Sequence, residues 1–403
     1  MSHTVPPMRR GHSLRLLQGS VDLFPAMIEA FDAARREVRL ETYIFDFTGA
    51  SAEVAYALER AARRGVSVKV VVDGFGTEPL PPSWQERFLQ AGVDWRVYSP
   101  LRRFGLLRLG NWRRLHRKLC VVDGELGFCG GINILDDFHD PNHGLLESPR
   151  LDFAVGVTGP LVADILAAMD QVWRRVKPQR QTGGGHLGGA LVSSRNGDFA
   201  STANAGGDAP APRSRASLVL RDNVRNRTRI ERSYRRAIGR ARSEIIIANA
   251  YFVPGGKMRK ALLSAARRGV KVQLLLQGRY EYFMQYYAAR PIYGELLAAG
   301  IEIHEYAPSF LHAKVAVFDR SRATVGSSNL DPLSLLLARE ANVAITDEAF
   351  TTQLRERLLE AIRQGRSMQA AEYQSRSLWQ RALERIAHGL MRLALAVQGK
   401  TYL

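Results

Sequence analysis

The chain has 403 residues, of which 46% are hydrophobic and 24% are charged, as in ordinary globular proteins. This length predicts two or three domains, and the composition excludes a disordered, collagen-like or coiled-coil protein. The 57 Lys and Arg residues outnumber the 39 Asp and Glu residues, so the net charge is +18 and predicts a polyanionic partner, nucleic acid or an anionic membrane. Two cysteines are too few for a disulfide framework or a structural zinc cluster.

The first predicted elements alternate between helix and strand. Apolar spacing predicts a helix over 21–36, a strand over 38–45 and a second helix over 52–64. Gly65 is expected to end that helix, and the apolar run 66–72 predicts a buried strand. Alternation of this kind is typical of an α/β sandwich with a mostly parallel sheet.

The second half of the chain repeats the first. Residues 57–74 read ALERAARRGVSVKVVVDG, and residues 261–278 read ALLSAARRGVKVQLLLQG. Upstream, the triplet 41–43 aligns with the triplet 249–251, and both end in tyrosine. The matching predicted elements are helices over 225–242 and 257–268 and strands over 244–250 and 270–276. A repeat of this length and separation indicates a duplicated domain, not a solenoid.

The duplication predicts two lobes, at 1–177 and 218–365. Between them, residues 178–217 are rich in Gly, Ser, Ala and Pro and show no periodicity, so they predict a flexible linker. The tail 366–403 lies outside the repeat. Within it, residues 378–397 have an apolar stripe at three- and four-residue steps, with arginines off the stripe.

This stripe predicts an amphipathic helix that is too polar to span a bilayer. It can lie among lipid headgroups or dock on the protein's own core. The first residues carry no apolar run typical of a signal peptide, and no segment predicts a transmembrane helix. Any membrane contact is therefore expected to be peripheral.

A third repeated block carries the pattern H-x-K-x4-D twice. The first copy is His116, Lys118 and Asp123, and the second is His312, Lys314 and Asp319. Side chains at i and i+2 of a strand share one face, so each histidine is expected to project beside its lysine. We place the aspartates in the candidate catalytic set as structural supports, because each follows the end of a strand.

Small residues follow each copy of this pattern. They read Gly-Gly-Ile-Asn at 130–133 and Gly-Ser-Ser-Asn at 326–329. Small residues let a phosphoryl group approach the backbone, and Asn and Ser can donate hydrogen bonds to it. The candidate phosphate-binding residues are Gly131, Asn133, Ser327 and Asn329. A single H-x-K is a weak signal, but two copies in register predict that both histidines meet at one cleft.

These motifs resemble the phospholipase D superfamily and, within it, the short B-type bacterial cardiolipin synthases. The resemblance rests on RRLHRK at 113–118, IIIANAYFVPG at 245–255 and ATVGSSNLDPLSL at 323–335, and it covers about 10–400 except the linker. It implies a duplicated α/β sandwich with two pseudo-symmetric lobes, one composite active site and neither a metal nor another cofactor. It also implies that a carboxylate supports a catalytic histidine. Asp152 and Glu340 are the candidates, and ordinary strand-edge acids are the alternative.

The function that the resemblance implies is cardiolipin synthesis. A phosphatidyl group moves from one phosphatidylglycerol to another through a phosphohistidine, and glycerol is released. The resemblance favours His116 as the nucleophile and His312 as the acid and base, although the nearly symmetric motifs leave the reverse order open. The lysines and asparagines are expected to neutralise charge on the phosphoryl oxygens.

Other functions fit the same residues. Water as the acceptor gives a phosphodiesterase, either a phospholipase or a nuclease, and the fold can also serve as a basic binding module without catalysis. The expected partners are phosphatidylglycerol and an anionic membrane surface, at the cytoplasmic face of the bacterial cell membrane. Neither nucleic acid nor an obligate protein partner is expected.

Overall fold

A computed structural model describes residues 5–100, 113–140, 143–178, 214–222, 226–279, 283–331 and 338–374, and part of 376–389. Most of the predicted linker 178–217 therefore lies outside the described residues. The helices, in chain order, are α1 (Gly19–Ala33), α2 (Gly49–Arg63), α3 (Pro82–Ala91), α4 (Leu161–Trp173), α5 (Arg229–Arg240), α6 (Gly256–Arg267), α7 (Phe283–Ala298), α8 (Glu348–Arg363) and α9 (Ala370–Gln374).

Most of the strands belong to two large sheets, each built mainly from one half of the chain. Those of the first half are β1 (Arg9–Arg10), β2 (Ser13–Gln18), β3 (Glu37–Thr42), β4 (Ser67–Asp73), β5 (Asp94–Tyr98), β6 (Arg114–Leu115), β7 (Lys118–Val122), β8 (Leu126–Gly130), β9 (His139–Asp140), β10 (Gly144–Leu145) and β11 (Phe153–Thr158). Those of the second half are β12 (Arg215–Arg221), β13 (Glu244–Asn249), β14 (Lys271–Gln277), β15 (Glu302–Tyr306), β16 (Lys314–Phe318), β17 (Arg322–Gly326), β18 (Ala338–Thr346) and β19 (Arg366–Ser367).

The N-terminal sheet has the strand order β2-β11-β8-β7-β3-β4-β5, so the strand that follows His116 is central. Strands β3, β4 and β5 are parallel, and the other neighbouring pairs are antiparallel. The prediction of a mostly parallel sheet was therefore wrong. Strands β7 and β8 form a hairpin whose turn holds Asp123 and Gly124 at positive φ, and a turn this short can join only antiparallel strands.

The C-terminal sheet has the order β1-β12-β18-β17-β16-β13-β14-β15-β19. Its edge strand β1 comes from the other end of the chain, where Arg9 pairs with Ala216. At the opposite edge, β19 pairs with β15 although it follows the predicted lobe boundary at 365. Strand β12 of this sheet begins at Arg215, inside the predicted linker. Backbone pairing therefore sets boundaries that differ from those of the repeat.

Strand pairing also fixes the register of the duplication. Glycines at 65 and 269, with φ of 88° and 82°, follow the ends of α2 and α6 as predicted. Thr42 pairs with Val72, and Asn249 pairs with Leu276 at the same place in the other lobe. Thr42, not Glu41, is therefore the counterpart of Asn249. The alignment of the triplets 41–43 and 249–251 was wrong by one residue, because it followed the shared tyrosine.

The two lobes share one hydrophobic core. Val155 of β11 and Ile165 of α4 belong to the same buried cluster as Val343 of β18 and Leu354 of α8. Apolar burial on this scale holds two sheets in one orientation. Side chains that are far apart in the sequence can therefore form one site.

Candidate active site

Each H-x-K segment meets the other lobe just before its strand begins. The His116 backbone N–H donates to the carbonyl of Arg339, and the His312 N–H donates to the carbonyl of Leu151. These carbonyls belong to the residues directly before Glu340 and Asp152. The backbone thus holds each histidine next to a carboxylate from the opposite half of the chain.

The side chains complete this crossed arrangement. His116 Nδ1 lies 3.0 Å from Glu340 Oε1, and His312 Nδ1 lies 2.6 Å from Asp152 Oδ2. Both carboxylates are almost completely buried. A carboxylate that accepts from Nδ1 fixes the tautomer and leaves the Nε2 lone pair free to react. Sequence analysis named both acids but not the exchange between lobes.

The two lysines lie on the first residues of β7 and β16. Lys118 Nζ donates to the carbonyl of His116 at 2.8 Å, and Lys314 Nζ donates to the carbonyl of His312. Lys314 Nζ is also 3.6 Å from Asp152 Oδ2. Both ammonium groups are buried, so their charge acts in a poorly screened environment where it can stabilise a phosphoryl anion.

Burial sets the protonation of this cluster. It lowers the pKa of His116, and it lowers the pKa of His312 well below the ordinary value, with the neighbouring lysines acting in the same direction. Burial raises the pKa of Asp152 to about 6, against the attraction of Lys314. Without a bound phosphodiester, near neutral pH, the arrangement therefore combines neutral imidazoles with an ionised Asp152, as a nucleophile and a general base require.

The two predicted asparagines occupy equivalent positions. Asn133 Oδ1 accepts from the Ile44 backbone N–H at 3.1 Å, and Asn329 Oδ1 accepts from the Tyr251 N–H at 3.4 Å. Because the backbone binds the oxygen of each amide, its NH₂ group is the end that can donate to a phosphoryl oxygen. Phosphate binding by these two residues stays a prediction.

The small residues Gly131 and Ser327 have a different role from the one predicted. A Cβ at Gly131 would lie 2.3 Å from Asp152 Oδ1, so glycine leaves the space that this carboxylate occupies. Ser327 Oγ donates to Glu340 Oε2 and is itself buried. Both residues therefore help to hold the carboxylates in place.

Asp123 and Asp319 lie outside the reacting cluster. The Asp123 carboxylate accepts from the backbone N–H groups of Arg35, Arg36 and Glu37, and Asp319 makes the equivalent contacts with 242–244. Each aspartate follows the far end of a strand that begins with the catalytic lysine. Five residues at ~3.3 Å each place it about 16 Å from that lysine. Both aspartates therefore act on the backbone as structural supports and take no direct part in the reacting cluster.

Two residues that the sequence did not single out bind the backbone directly before each histidine. Asp73 Oδ2 accepts from the Leu115 backbone N–H at 2.7 Å, and Gln277 Oε1 accepts from the Leu311 N–H at 3.3 Å. Both are buried at the ends of β4 and β14. The aligned repeats VVVDG and LLLQG contain this signal, since a polar residue ends an apolar strand in both copies.

Two further contacts belong to the first lobe. The ring of Tyr43 lies edge-on to His116, with centroids 4.8 Å apart, and Lys118 Nζ is 5.4 Å from the centre of the same ring. Arg117 forms a buried ion pair with Glu41, Nε to Oε2 at 2.6 Å. The second copy has Ala313 in place of Arg117, so the repeat gave no signal for this pair.

Both lobes of the chain match one known protein family. The family model described as "Cardiolipin synthase, PLD-like domain" matches residues 27–145 and 234–362, one segment in each lobe. The chain belongs to this family. Cardiolipin synthase B of Salmonella typhi is 38% identical over 350 residues, which cover 87% of this chain and 80% of that protein. Cardiolipin synthase B of Escherichia coli K12 is 36% identical over 363 residues, with the same coverage.

The fold has a solved counterpart. Phosphatidylserine synthase of Haemophilus influenzae Rd KW20 superposes with a TM-score of 0.70, covering 98% of this chain and 97% of that chain at 13% identity. Such low identity supports the fold alone. The family resemblance and the two-lobed α/β fold inferred from the sequence are thus confirmed. Within the described residues, no helix of this family member is long and apolar enough to cross a membrane.

The protonation of the cluster predicts a bell-shaped pH dependence of kcat/KM. Burial lowers the pKa of Lys118 to about 7, so its ammonium group is lost as pH rises through that value. On the acid side, Asp152 is protonated below about 6 and no longer accepts from His312. We expect limbs near these two values in the pH profile of kcat/KM. In the profile of kcat, the phosphate group of the bound substrate stabilises the Lys118 ammonium group and moves the alkaline limb to higher pH. Lys118→Arg should remove the alkaline limb, and its persistence in that variant would assign it to another group.

Proposed function

We propose that the chain synthesises cardiolipin by transferring a phosphatidyl group between two phosphatidylglycerol molecules. The crossed histidine–carboxylate pairs carry this proposal, because they leave two Nε2 atoms for opposite tasks, one as the nucleophile and one as the carrier of a proton. The family and the relatives named cardiolipin synthase B support this substrate class.

The first half-reaction forms a covalent intermediate. His116 Nε2 attacks phosphorus and forms a P–N bond, while the P–O bond to the glycerol headgroup breaks. The bound phosphodiester anion favours the imidazolium form of His312, which carries its second proton on Nε2 and donates that proton to the departing glycerol oxygen, becoming neutral. The ammonium groups of Lys118 and Lys314 lie beside the two histidines and offset the charge that develops on the phosphoryl oxygens.

The second half-reaction reverses these roles. His312 Nε2 accepts the proton of a terminal hydroxyl on the second phosphatidylglycerol. That oxygen attacks phosphorus, the P–N bond to His116 breaks, and cardiolipin leaves. Neutral His312 is suited to this task because burial and nearby lysines lower its pKa.

The test incubates the protein with headgroup-labelled and acyl-labelled phosphatidylglycerol in anionic vesicles. Transfer gives cardiolipin and free glycerol in equal amounts. Hydrolysis gives phosphatidic acid and glycerol, and would assign a phosphodiesterase instead. A binding module without catalysis releases neither, which would overturn the proposal. The His116→Ala protein is the matched control for contaminating activity.

Activity is expected to survive EDTA. The buried ammonium groups of Lys118 and Lys314 provide the electrostatic stabilisation that a divalent metal provides in other phosphoryl-transfer enzymes. The measurement compares initial rates of cardiolipin formation before and after dialysis against EDTA. A complete loss that magnesium or zinc restores would contradict this prediction.

We also propose that the protein works as a peripheral protein at the cytoplasmic face of the cell membrane, attached through its tail. In the described part of the tail, Trp379 and Ile386 are 74% and 55% exposed. Seven residues apart, they share one helical face. Glu384, on a different face, is buried and bound to Arg376. Two large apolar side chains exposed together suit insertion among lipid headgroups.

Removing these side chains should therefore weaken membrane attachment. Trp379→Ala/Ile386→Ala is expected to reduce cosedimentation with anionic vesicles several-fold, and truncation before Ser377 should do the same. High salt should weaken vesicle binding by the intact protein only partly, because the apolar contribution remains. Val21→Ala/Leu89→Ala removes exposed apolar side chains elsewhere and is the control. Unchanged cosedimentation of the tail variants would make the tail a structural element only.

A further inference from the structure

A basic concavity lies at the end of the C-terminal sheet that is remote from the catalytic lysine. Its volume is about 630 Å³, and its basic lining consists of Arg240, Arg242, Arg268 and Arg322. Asp319 also lines it, but backbone N–H groups of 242–244 bind its carboxylate. Arg268 donates to the carbonyl of Ile238. Within the described residues, Arg240, Arg242 and Arg322 are paired with no carboxylate.

The duplication offers an internal comparison, because the same place in the N-terminal lobe is neutralised. There Asp32 binds Arg60 and lies near Arg64, and Glu125 binds Arg36. The register places Gly239 and Ser321 at the positions of these two acids. It also places Arg240 and Arg322 where the first lobe has Ala33 and Leu126. The fold therefore does not require a basic concavity here.

An apolar pocket of about 220 Å³ adjoins this concavity. Met8, Ala237 and Phe318 contribute to its lining. Arg240 and Arg322 line both spaces, so they stand where the apolar and the basic parts meet. Guanidinium groups bind phosphate oxygens in a planar, bidentate geometry. A basic surface next to an apolar pocket matches the two ends of one amphiphilic molecule.

We propose that this place binds an anionic phospholipid, with its phosphate among the arginines and part of one acyl chain in the apolar pocket. A free phosphate makes no use of the apolar part, and charge complementarity favours an anionic headgroup over a zwitterionic one. The site is separate from the catalytic cluster, because Asp319 and Lys314 lie at opposite ends of the same strand, about 16 Å apart. The proposal goes beyond cardiolipin synthesis and does not depend on which lipid accepts the phosphatidyl group.

The test uses a photoactivatable phosphatidylglycerol in phosphatidylcholine vesicles with the full chain, followed by mapping of labelled peptides. Labelling is expected in the segments 233–242 and 318–324, separately from any labelling near His312. Arg240→Ala/Arg322→Leu copies the residues of the first lobe, which the same fold tolerates, and should reduce labelling of these segments roughly tenfold or more. Arg15→Ala/Arg35→Ala removes the same charge from exposed positions in the N-terminal lobe and is the matched control.

The outcomes separate the possible ligands. Loss of labelling in Arg240→Ala/Arg322→Leu, with retention in the control and near His312, supports the site. Equal labelling in both variants, or no labelling of these segments in the unchanged protein, overturns it. Inorganic phosphate that abolishes labelling at the concentration of the lipid probe would also overturn it in favour of a simple phosphate site. Failure of cardiolipin synthesis does not affect the labelling of the segments 233–242 and 318–324, which decides this proposal.

Discussion

Replacing either histidine of the crossed pairs with alanine is expected to reduce phosphatidyl transfer by roughly 10³-fold or more. His116→Ala removes the proposed nucleophile, and His312→Ala removes the group that moves the proton in both half-reactions. Both side chains lie in the cleft with their Nδ1 atoms bound to carboxylates, so each change removes a reacting Nε2 and leaves an unpaired buried acid. The measurement is the initial rate of cardiolipin formation from phosphatidylglycerol vesicles.

The two variants should differ with an activated donor. A phosphatidyl ester of p-nitrophenol has a leaving group that needs no proton, so His312→Ala is expected to release about one equivalent of nitrophenol and then stop. A denaturing quench should then find the phosphatidyl group on His116. His116→Ala should give no burst. A burst from His116→Ala with the label on His312 would reverse the two roles, and equal steady rates in both variants would exclude a covalent intermediate.

The sequence was sufficient for the local parts of this site. Alternation along a strand is a property of the backbone, so H-x-K alone predicted that His116 and Lys118 project together, and both lie against the Tyr43 ring. The exchange of carboxylates was different, because it depends on how two lobes pack. His116 and Glu340 are 224 residues apart, and only the shared core brings them within hydrogen-bonding distance.

The differences between the predicted and the observed places of these residues have a common physical cause. Gly131 and Ser327 have the size and chemistry of phosphate-binding residues, yet they lie one layer behind the reacting groups and fit the two carboxylates. Composition does not distinguish these layers. The register error at 41–43 arose similarly, since a shared tyrosine outweighed the pairing of Thr42 with Val72, which only the sheet defines.

Changing either carboxylate to its amide should lower kcat by roughly 10³- to 10⁴-fold, with little change in KM. Glu340→Gln and Asp152→Asn preserve size but can turn an amide N–H toward the histidine. Nδ1 then becomes an acceptor, the proton moves to Nε2, and the lone pair needed for attack or proton transfer is lost. Both acids are buried, so water cannot restore the original tautomer.

The crossed pairing gives this prediction a second readout, in the imidazole ¹⁵N chemical shifts. Glu340→Gln should change the tautomer of His116, which lies in the other half of the chain, and leave His312 unchanged. Asp152→Asn should change the tautomer of His312 and leave His116 unchanged. Asp123→Asn is the control, because that carboxylate binds backbone N–H groups about 16 Å from Lys118. It should lower Tm without altering either tautomer. If Glu340→Gln instead perturbs His312, each carboxylate acts within its own lobe and the crossed site is wrong.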